Sequence, residues 1–314
     1  MMKFFARQVL VCAYVVFCVY FALQLYDNRD LLSLKLWRWL LAPAVSNLER
    51  TRSRSSLERE SAAYSDYSFL LKIRLCLISE LRRIADDAVW SKFWELLVHC
   101  SQTGPALDYG ISASNKLFLN YKKNKGHDEC VYVSLRIGKD VFQELKLKES
   151  QPNCKFFGAD PHDSTAKFYS KVGGEFFKGA IALTTGTANM SISSSKEDEF
   201  TWQMIQTSSL KSYLDEHVHR RLVHFLSMDI EGAEYEILSN FQIFDDILTE
   251  VCQISVELHG LPESYGINYS EFGRILKGFI RNSAFVPLKS KPPQYHQSVS
   301  FINYKSRACG AIFF

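Results

Sequence analysis

The chain has 314 residues, 47% of them hydrophobic and 23% charged, a balance that suits one large globular domain or two small ones and excludes a wholly disordered chain. Its formal net charge of +3 is small and dispersed, which excludes nucleic-acid binding through a concentrated basic face. Lys3 and Arg7 precede an unbroken apolar run from Val9 to Leu23, and Gln24, Leu25 and Tyr26 lead into the polar cluster Asp27, Asn28, Arg29, Asp30. A run of this length fits a cleaved signal peptide or a short signal anchor. Tyr20, Phe21, Ala22, Leu23 and Gln24 offer no pair of small residues at the spacing a signal peptidase prefers, so an anchor through residues 9–25 is expected. Positive charge ahead of the run puts the N-terminus in the cytosol and the body in the lumen of the endoplasmic reticulum or Golgi, as a single-pass type II protein. Cleavage would instead make the protein secreted.

Two sequons, Asn189-Met190-Ser191 and Asn268-Tyr269-Ser270, agree with lumenal exposure and a glycoprotein. Six cysteines lie beyond the apolar run: Cys76, Cys100, Cys130, Cys154, Cys252 and Cys309. An oxidising lumen allows them to pair, in combinations that spacing cannot choose among, and buried free thiols in a reduced protein are the alternative. No CxxC occurs, and no metal site is expected from them.

Residues 1–26 therefore read as a cytosolic tip and anchor. Residues 27–61 read as a juxtamembrane helix, Leu31 to Val45, followed by an Arg-, Ser- and Glu-rich exposed stem. In residues 62–105 apolar positions recur at helical spacing (Phe69, Leu70, Ile73, Leu77, Leu81, Ile84, then Val89, Trp90, Phe93, Leu96, Leu97), which predicts two amphipathic helices as an N-terminal extension. Thr103, Gly104 and Pro105 end that pattern, and the main domain is expected to span 106–314.

Within the main domain strands are predicted at Val131 to Ile137, Lys155 to Ala159, Phe176 to Leu183, Leu222 to Met228 and Cys252 to Leu258. Helices are predicted at Val141 to Lys148, Asp163 to Val172, Ser208 to His217 and Glu231 to Asn240. Thr184 to Asp198 reads as a polar loop, and the tail as two strands, Ser298 to Tyr304 and Ala308 to Phe314. Regular alternation predicts a doubly wound α/β sheet, and the closing strand pair one antiparallel edge.

The most specific stretch runs Phe225-Leu226-Ser227-Met228-Asp229-Ile230-Glu231-Gly232-Ala233-Glu234-Tyr235-Glu236-Ile237-Leu238. An apolar strand delivers Asp229 at its carboxyl end and a helix is expected to follow directly, which places Asp229 and Glu231 where open α/β sheets bind ligands. The bland alternative is an acid capping a helix. A strand, then Asp-Ile-Glu-Gly-Ala-Glu, then an amphipathic helix resembles FkbM-type methyltransferases, and more particularly a membrane-anchored methyltransferase-like branch. Phe157-Gly158-Ala159-Asp160-Pro161 and Val256-Glu257-Leu258-His259 support the resemblance, which runs from about Cys130 to the C-terminus.

The resemblance implies a Rossmann-like class I methyltransferase sheet and transfer of a methyl group from S-adenosylmethionine to an oxygen or similar nucleophile of a sugar or small-molecule acceptor. It implies cofactor binding by Gly138, Asp140 and Asp160, with Gly138 admitting the cofactor to the backbone and Asp160 accepting the ribose hydroxyls. Asp160, as an edge carboxylate, is expected to be dispensable for folding. Asp229, Glu231 and His259 are the implied catalytic residues, as acceptor contacts, base or ligands. The sequence departs from the pattern in its first loop, Val133-Ser134-Leu135-Arg136-Ile137-Gly138-Lys139-Asp140, which has one glycine and sets Arg136 where a small residue is expected. A pseudoenzyme that keeps the fold is thus a second reading. A glycosyltransferase using Asp229-Ile230-Glu231 as a DxD-like motif is disfavoured by the helix expected immediately after it. An NAD-dependent oxidoreductase is disfavoured because no G-x-G-x-x-G follows a strand.

Overall fold

The computed structural model describes residues 68–314, apart from 103, 111–115, 121–129, 139, 194–199, 220–221, 241–250, 261–266 and 294–295. The expected anchor, juxtamembrane helix and stem lie outside the described residues. Among the described residues no helix is long and apolar enough to cross a membrane.

Helix α1 (Ser68–Arg83) buries Leu70, Ile73, Leu77 and Leu81, and α2 (Val89–Ser101) buries Val89, Trp90, Phe93, Leu97 and Cys100, the 3.6-residue stripe that the spacing predicts. These side chains join the same core as the sheet, so the boundary expected at 106 does not divide the hydrophobic interior. A short antiparallel ribbon, β1 (Tyr109–Gly110) and β2 (Phe118–Leu119), follows. It is sewn to the sheet where the Leu117 N–H donates to Ser255 Oγ and the Leu119 N–H to Gln253 Oε1.

The elements then run β3 (Cys130–Leu135), α3 (Phe142–Ser150), β4 (Cys154–Asp160), α4 (Ala166–Val172), β5 (Glu175–Lys178), β6 (Ala180–Ala182), β7 (Gly186–Ser193), β8 (Phe200–Ser209), α5 (Leu210–Glu216), β9 (Val223–Met228), α6 (Ala233–Ser239), β10 (Val251–His259), α7 (Tyr269–Asn282), β11 (Phe285–Ser290), β12 (His296–Asn303) and α8 (Arg307–Phe313). Every residue of β3 and of β9 is buried, as expected of parallel strands covered on both faces. Seven strands form one sheet in the order β11-β12-β10-β9-β3-β4-β5. Chain order reverses between β3 and β9, and that switch point opens a crevice at the carboxyl ends of the strands.

Several expectations are corrected. The antiparallel strand is β12, one place in from the edge and antiparallel to both β10 and β11. The stretch expected as one strand over 176–183 is two, β5 in the large sheet and β6 in a three-stranded sheet ordered β6-β8-β7. Much of the expected loop 184–198 is β7, whose Thr, Ser and Asn content hides a hairpin that pairs from Gly186↔Thr207 to Ser193↔Phe200. The helix after Asp229 starts at Ala233, with Glu231 (φ 51°) and Gly232 (φ 103°) in left-handed backbone between. A loop therefore does follow the strand, and the reason given against a DxD-like motif fails at that point. The tail 308–314, short and apolar enough to pass for a strand, is helix α8, capped by the Ser306 side chain accepting from the Cys309 N–H.

All six cysteines beyond the apolar run are paired: Cys76–Cys100 across α1 and α2, Cys130–Cys154 across β3 and β4, and Cys252–Cys309 between β10 and α8. Cys130 and Cys154 are register partners on neighbouring strands.

Candidate active site

Four of the parallel strands, β3, β4, β9 and β10, deliver functional groups at or just beyond their carboxyl ends. After β3 the backbone turns through Arg136 (φ 65°), Ile137 and Gly138 (φ 68°). Gly138 tolerates this conformation at no steric cost, whereas for Arg136 it is strained. Asp160, at the end of β4, holds the turn: its Oδ2 accepts from the Ile137 and Gly138 N–H groups at 3.0 and 3.0 Å, and its Oδ1 from the His162 N–H at 2.8 Å. Only 2% exposed, Asp160 is a built-in part of the first loop and not the dispensable edge carboxylate expected. Asp140 stands elsewhere: exposed, it accepts from the Phe142 N–H at the start of α3 and does not line the crevice.

The crevice is a slot lined by Arg136, Ala159, Pro161, His162, the 179–181 segment, Met190, Ile230 and Glu231, with about 30 Å³ of room. Small-molecule pockets commonly hold roughly 300–1,000 Å³. The obstruction is a side chain. The Arg136 guanidinium donates to Glu231 and lies 3.5 Å from Asp229 Oδ1, so the two charged residues in left-handed backbone meet across the crevice. On the slot's other side His162 Nε2 is buried and has no hydrogen-bond partner among the described residues.

His259 closes the far side of the site. Its side chain is 4% exposed, its Nε2 lies 3.4 Å from Asp229 and 3.5 Å from Glu231, and its Nδ1 is 2.8 Å from Glu234 Oε1. Glu234, fully buried, also accepts from the His259 and Gly232 N–H groups, and the Tyr235 hydroxyl donates to the His259 carbonyl. One carboxylate thus ties the end of β10 to the start of α6 and aims the imidazole. Burial pushes the His259 pKa down, but Glu234 beside it, with Asp229 and Glu257 beyond, pushes it further up, to a net position above the ordinary value. The His296 ring lies 4.7 Å away, and its pKa is lowered, by burial first and then by the charge on His259.

Asp229, Glu231 and His259 therefore converge as the sequence suggests. Glu234, His162 and His296 were missed there. Glu234 was legible only as one more acid on a helix, and His162 only as the residue after Asp160-Pro161. A second buried ionic group, Lys116 with Glu144 and Tyr132, lies against β3 and pins the segment before β2 to α3.

A mostly parallel sheet of this order, with a slot and an acid–histidine cluster at its switch point, places the chain in the Rossmann-like α/β class. Residues 87–286, well over half of the chain, match the methyltransferase FkbM domain, and the chain belongs to that family. Among solved structures it is similar to Trm1 from Pyrococcus horikoshii, determined in complex with S-adenosyl-L-methionine, at 14% identity and a TM-score of 0.33. That match covers 58% of this chain and 52% of the other, so the chain spans about half the length of that protein. No curated protein matches the sequence.

Proposed function

We propose that the protein transfers a methyl group from S-adenosylmethionine to a hydroxyl of a sugar or other small-molecule acceptor, in the lumen of the secretory pathway. The observation that carries the reading is the buried His162 Nε2, without a hydrogen-bond partner among the described residues, in a slot at the switch point beside the Asp229–Glu231–His259 cluster. A buried polar atom without a partner costs about 1–3 kcal/mol unless something binds it. The slot's small and apolar walls, Ala159, Pro161, Ala180 and Ile181, suit an adenine ring, and the Asp160-tied loop offers close backbone approach. His162 and these walls would hold the adenosine, and Arg136 the carboxylate of the methionine part. The bound cofactor supplies an electrophilic methyl group; the chain's own cluster orients the acceptor hydroxyl and receives its proton.

A second cavity of about 500 Å³, lined by Asn189, Trp202, Tyr235, Glu236, Glu271 and their neighbours, shares the wall residue Met190 with the slot and is the place for the acceptor. Three disulfides support an oxidising compartment. Asn268, outside the lining of that second cavity, is exposed, consistent with glycosylation. The test is calorimetry of S-adenosylmethionine on the full-length chain in mild detergent: micromolar binding, weakened at least about tenfold in His162→Ala, supports the reading. Binding unaffected by His162→Ala would remove the observation it rests on.

The Arg136 ion pair across the slot favours a second reading, a catalytically silent member of the family. Arg136→Gly distinguishes the two. If the arginine is a movable wall of a working site, the wild type binds the cofactor; if it is a permanent plug, only the variant does.

A further inference from the structure

Three strand ends bring metal-capable side chains together. Asp229 leaves β9 and Glu231 follows within the same loop; His259 ends β10, directly opposite His296 in the β10–β12 register, and Glu257 lies two residues earlier on the same face. Ligand atoms of Asp229, Glu231 and His259 all lie within 4.8 Å of one another, and Glu257, His259 and His296 form an overlapping group under the same limit.

Two further features point to a cation. The buried His259 directs Nε2 into the group because Glu234 holds Nδ1, and metal-bound imidazoles almost always donate their other ring N–H to an outer partner, a carboxylate, a backbone carbonyl or water. The group also already takes a cation, since Arg136 Nη1 donates to Glu231 and lies 3.5 Å from Asp229 Oδ1. That occupant comes from a residue in strained backbone, on a long side chain whose rotations can withdraw it.

We infer that Asp229, Glu231 and His259 form a divalent-cation site, with Arg136 as the internal cation that a metal displaces. Two carboxylates and one imidazole suit Mn²⁺ and its neighbours in the first transition row. Because Arg136 also lines the slot, metal entry and opening of the slot are one event. In the metal-bound state His259 is a ligand, and the cation lowers the pKa of a hydroxyl placed on it. That this hydroxyl belongs to a methyl acceptor rests on the function proposed above; the cation site itself does not.

The experiment is a titration of the chelator-treated, full-length chain with Mn²⁺ alone, following free Mn²⁺ by electron paramagnetic resonance and binding heat by calorimetry. One site with micromolar affinity is expected. Arg136→Ala should tighten it at least about tenfold, Glu234→Gln should weaken it about 10–100-fold, and His259→Ala should abolish it. The Arg136→Ala gain serves as the deciding variant if either of the other two fails to fold. No binding up to about 1 mM, or an affinity that Arg136→Ala leaves unchanged, overturns the site. If Mn²⁺ binds as expected while S-adenosylmethionine binds in neither state, the cation site stands and the methyltransferase reading falls; cofactor binding without any Mn²⁺ site gives the converse.

Discussion

The acid at the end of β4 carries more of the structure than its place in the sequence suggests. Three backbone N–H groups, those of Ile137, Gly138 and His162, converge on one buried carboxylate. Removing it orphans all three, at about 1–3 kcal/mol for each group left without water. Asp160→Ala should therefore lower unfolding free energy by about 3 kcal/mol or more in a denaturant titration; a loss below about 0.5 kcal/mol would show that the loop holds itself. His259 gives a second prediction, in metal-free protein. Its pKa in the fold lies above the ordinary value of 6.5, since the attraction of Glu234, Asp229 and Glu257 outweighs burial. The stability it contributes is fully present below the unfolded pKa and is lost as pH rises through the folded one. An imidazole NMR titration should place His259 above 6.5, and Glu234→Gln should bring it down; an unmoved midpoint would dissociate the two residues.

What was legible at the level of elements follows from burial. Strands β3, β4, β9 and β10 are short apolar runs, and the pattern alone places the residues at their carboxyl ends, Asp160, Asp229 and His259, at one edge of the sheet. The hairpin β7–β8 was not legible, because its stability comes from pairing across the chain and not from an apolar pattern in Gly186 to Ser193. Helix α7 went unassigned although Asn268 caps it by accepting from the Glu271 N–H, and Phe272, Leu276, Phe279 and Ile280 form its buried stripe. Its two glycines make opposite predictions. A Cβ on Gly273 would come 2.1 Å from the Asp86 carbonyl oxygen, where the turn between α1 and α2 sits on α7. That contact is with backbone and cannot yield cheaply, so Gly273→Ala should cost about 1–3 kcal/mol. Nothing lies within 4 Å of a Cβ on Gly278, so Gly278→Ala should gain about 0.5–1 kcal/mol from helix propensity. Thermal melts of both variants read the difference; shifts of the same sign would contradict the seating of the turn on α7.

At the scale of the molecule, the cysteines tie the stability of the fold to the redox state of its surroundings. Sequence left their pairing open because connectivity depends on which elements become neighbours, and the neighbours here are α1 with α2, β3 with β4, and β10 with α8. The bonds close loops with sequence separations of 24, 24 and 57 residues. Loop closure of that length restricts the unfolded chain by about 3–4 kcal/mol for each bond in the chain-entropy account. Since a domain's whole stability is about 5–15 kcal/mol, losing all three in a reducing cytosol would leave little of it. Cys130–Cys154 bears most directly on function, because β3 and β4 carry the Arg136 turn and the Asp160 that holds it. Peptide mapping of the non-reduced protein should recover the three pairs. The Cys130→Ala/Cys154→Ala double variant should lose about 2–4 kcal/mol and weaken cofactor binding more than Cys252→Ala/Cys309→Ala does, since that bond ties β10 to α8 and touches neither the loop nor its anchor. Equal losses of affinity in the two double variants would mean that the disulfides act only on global stability.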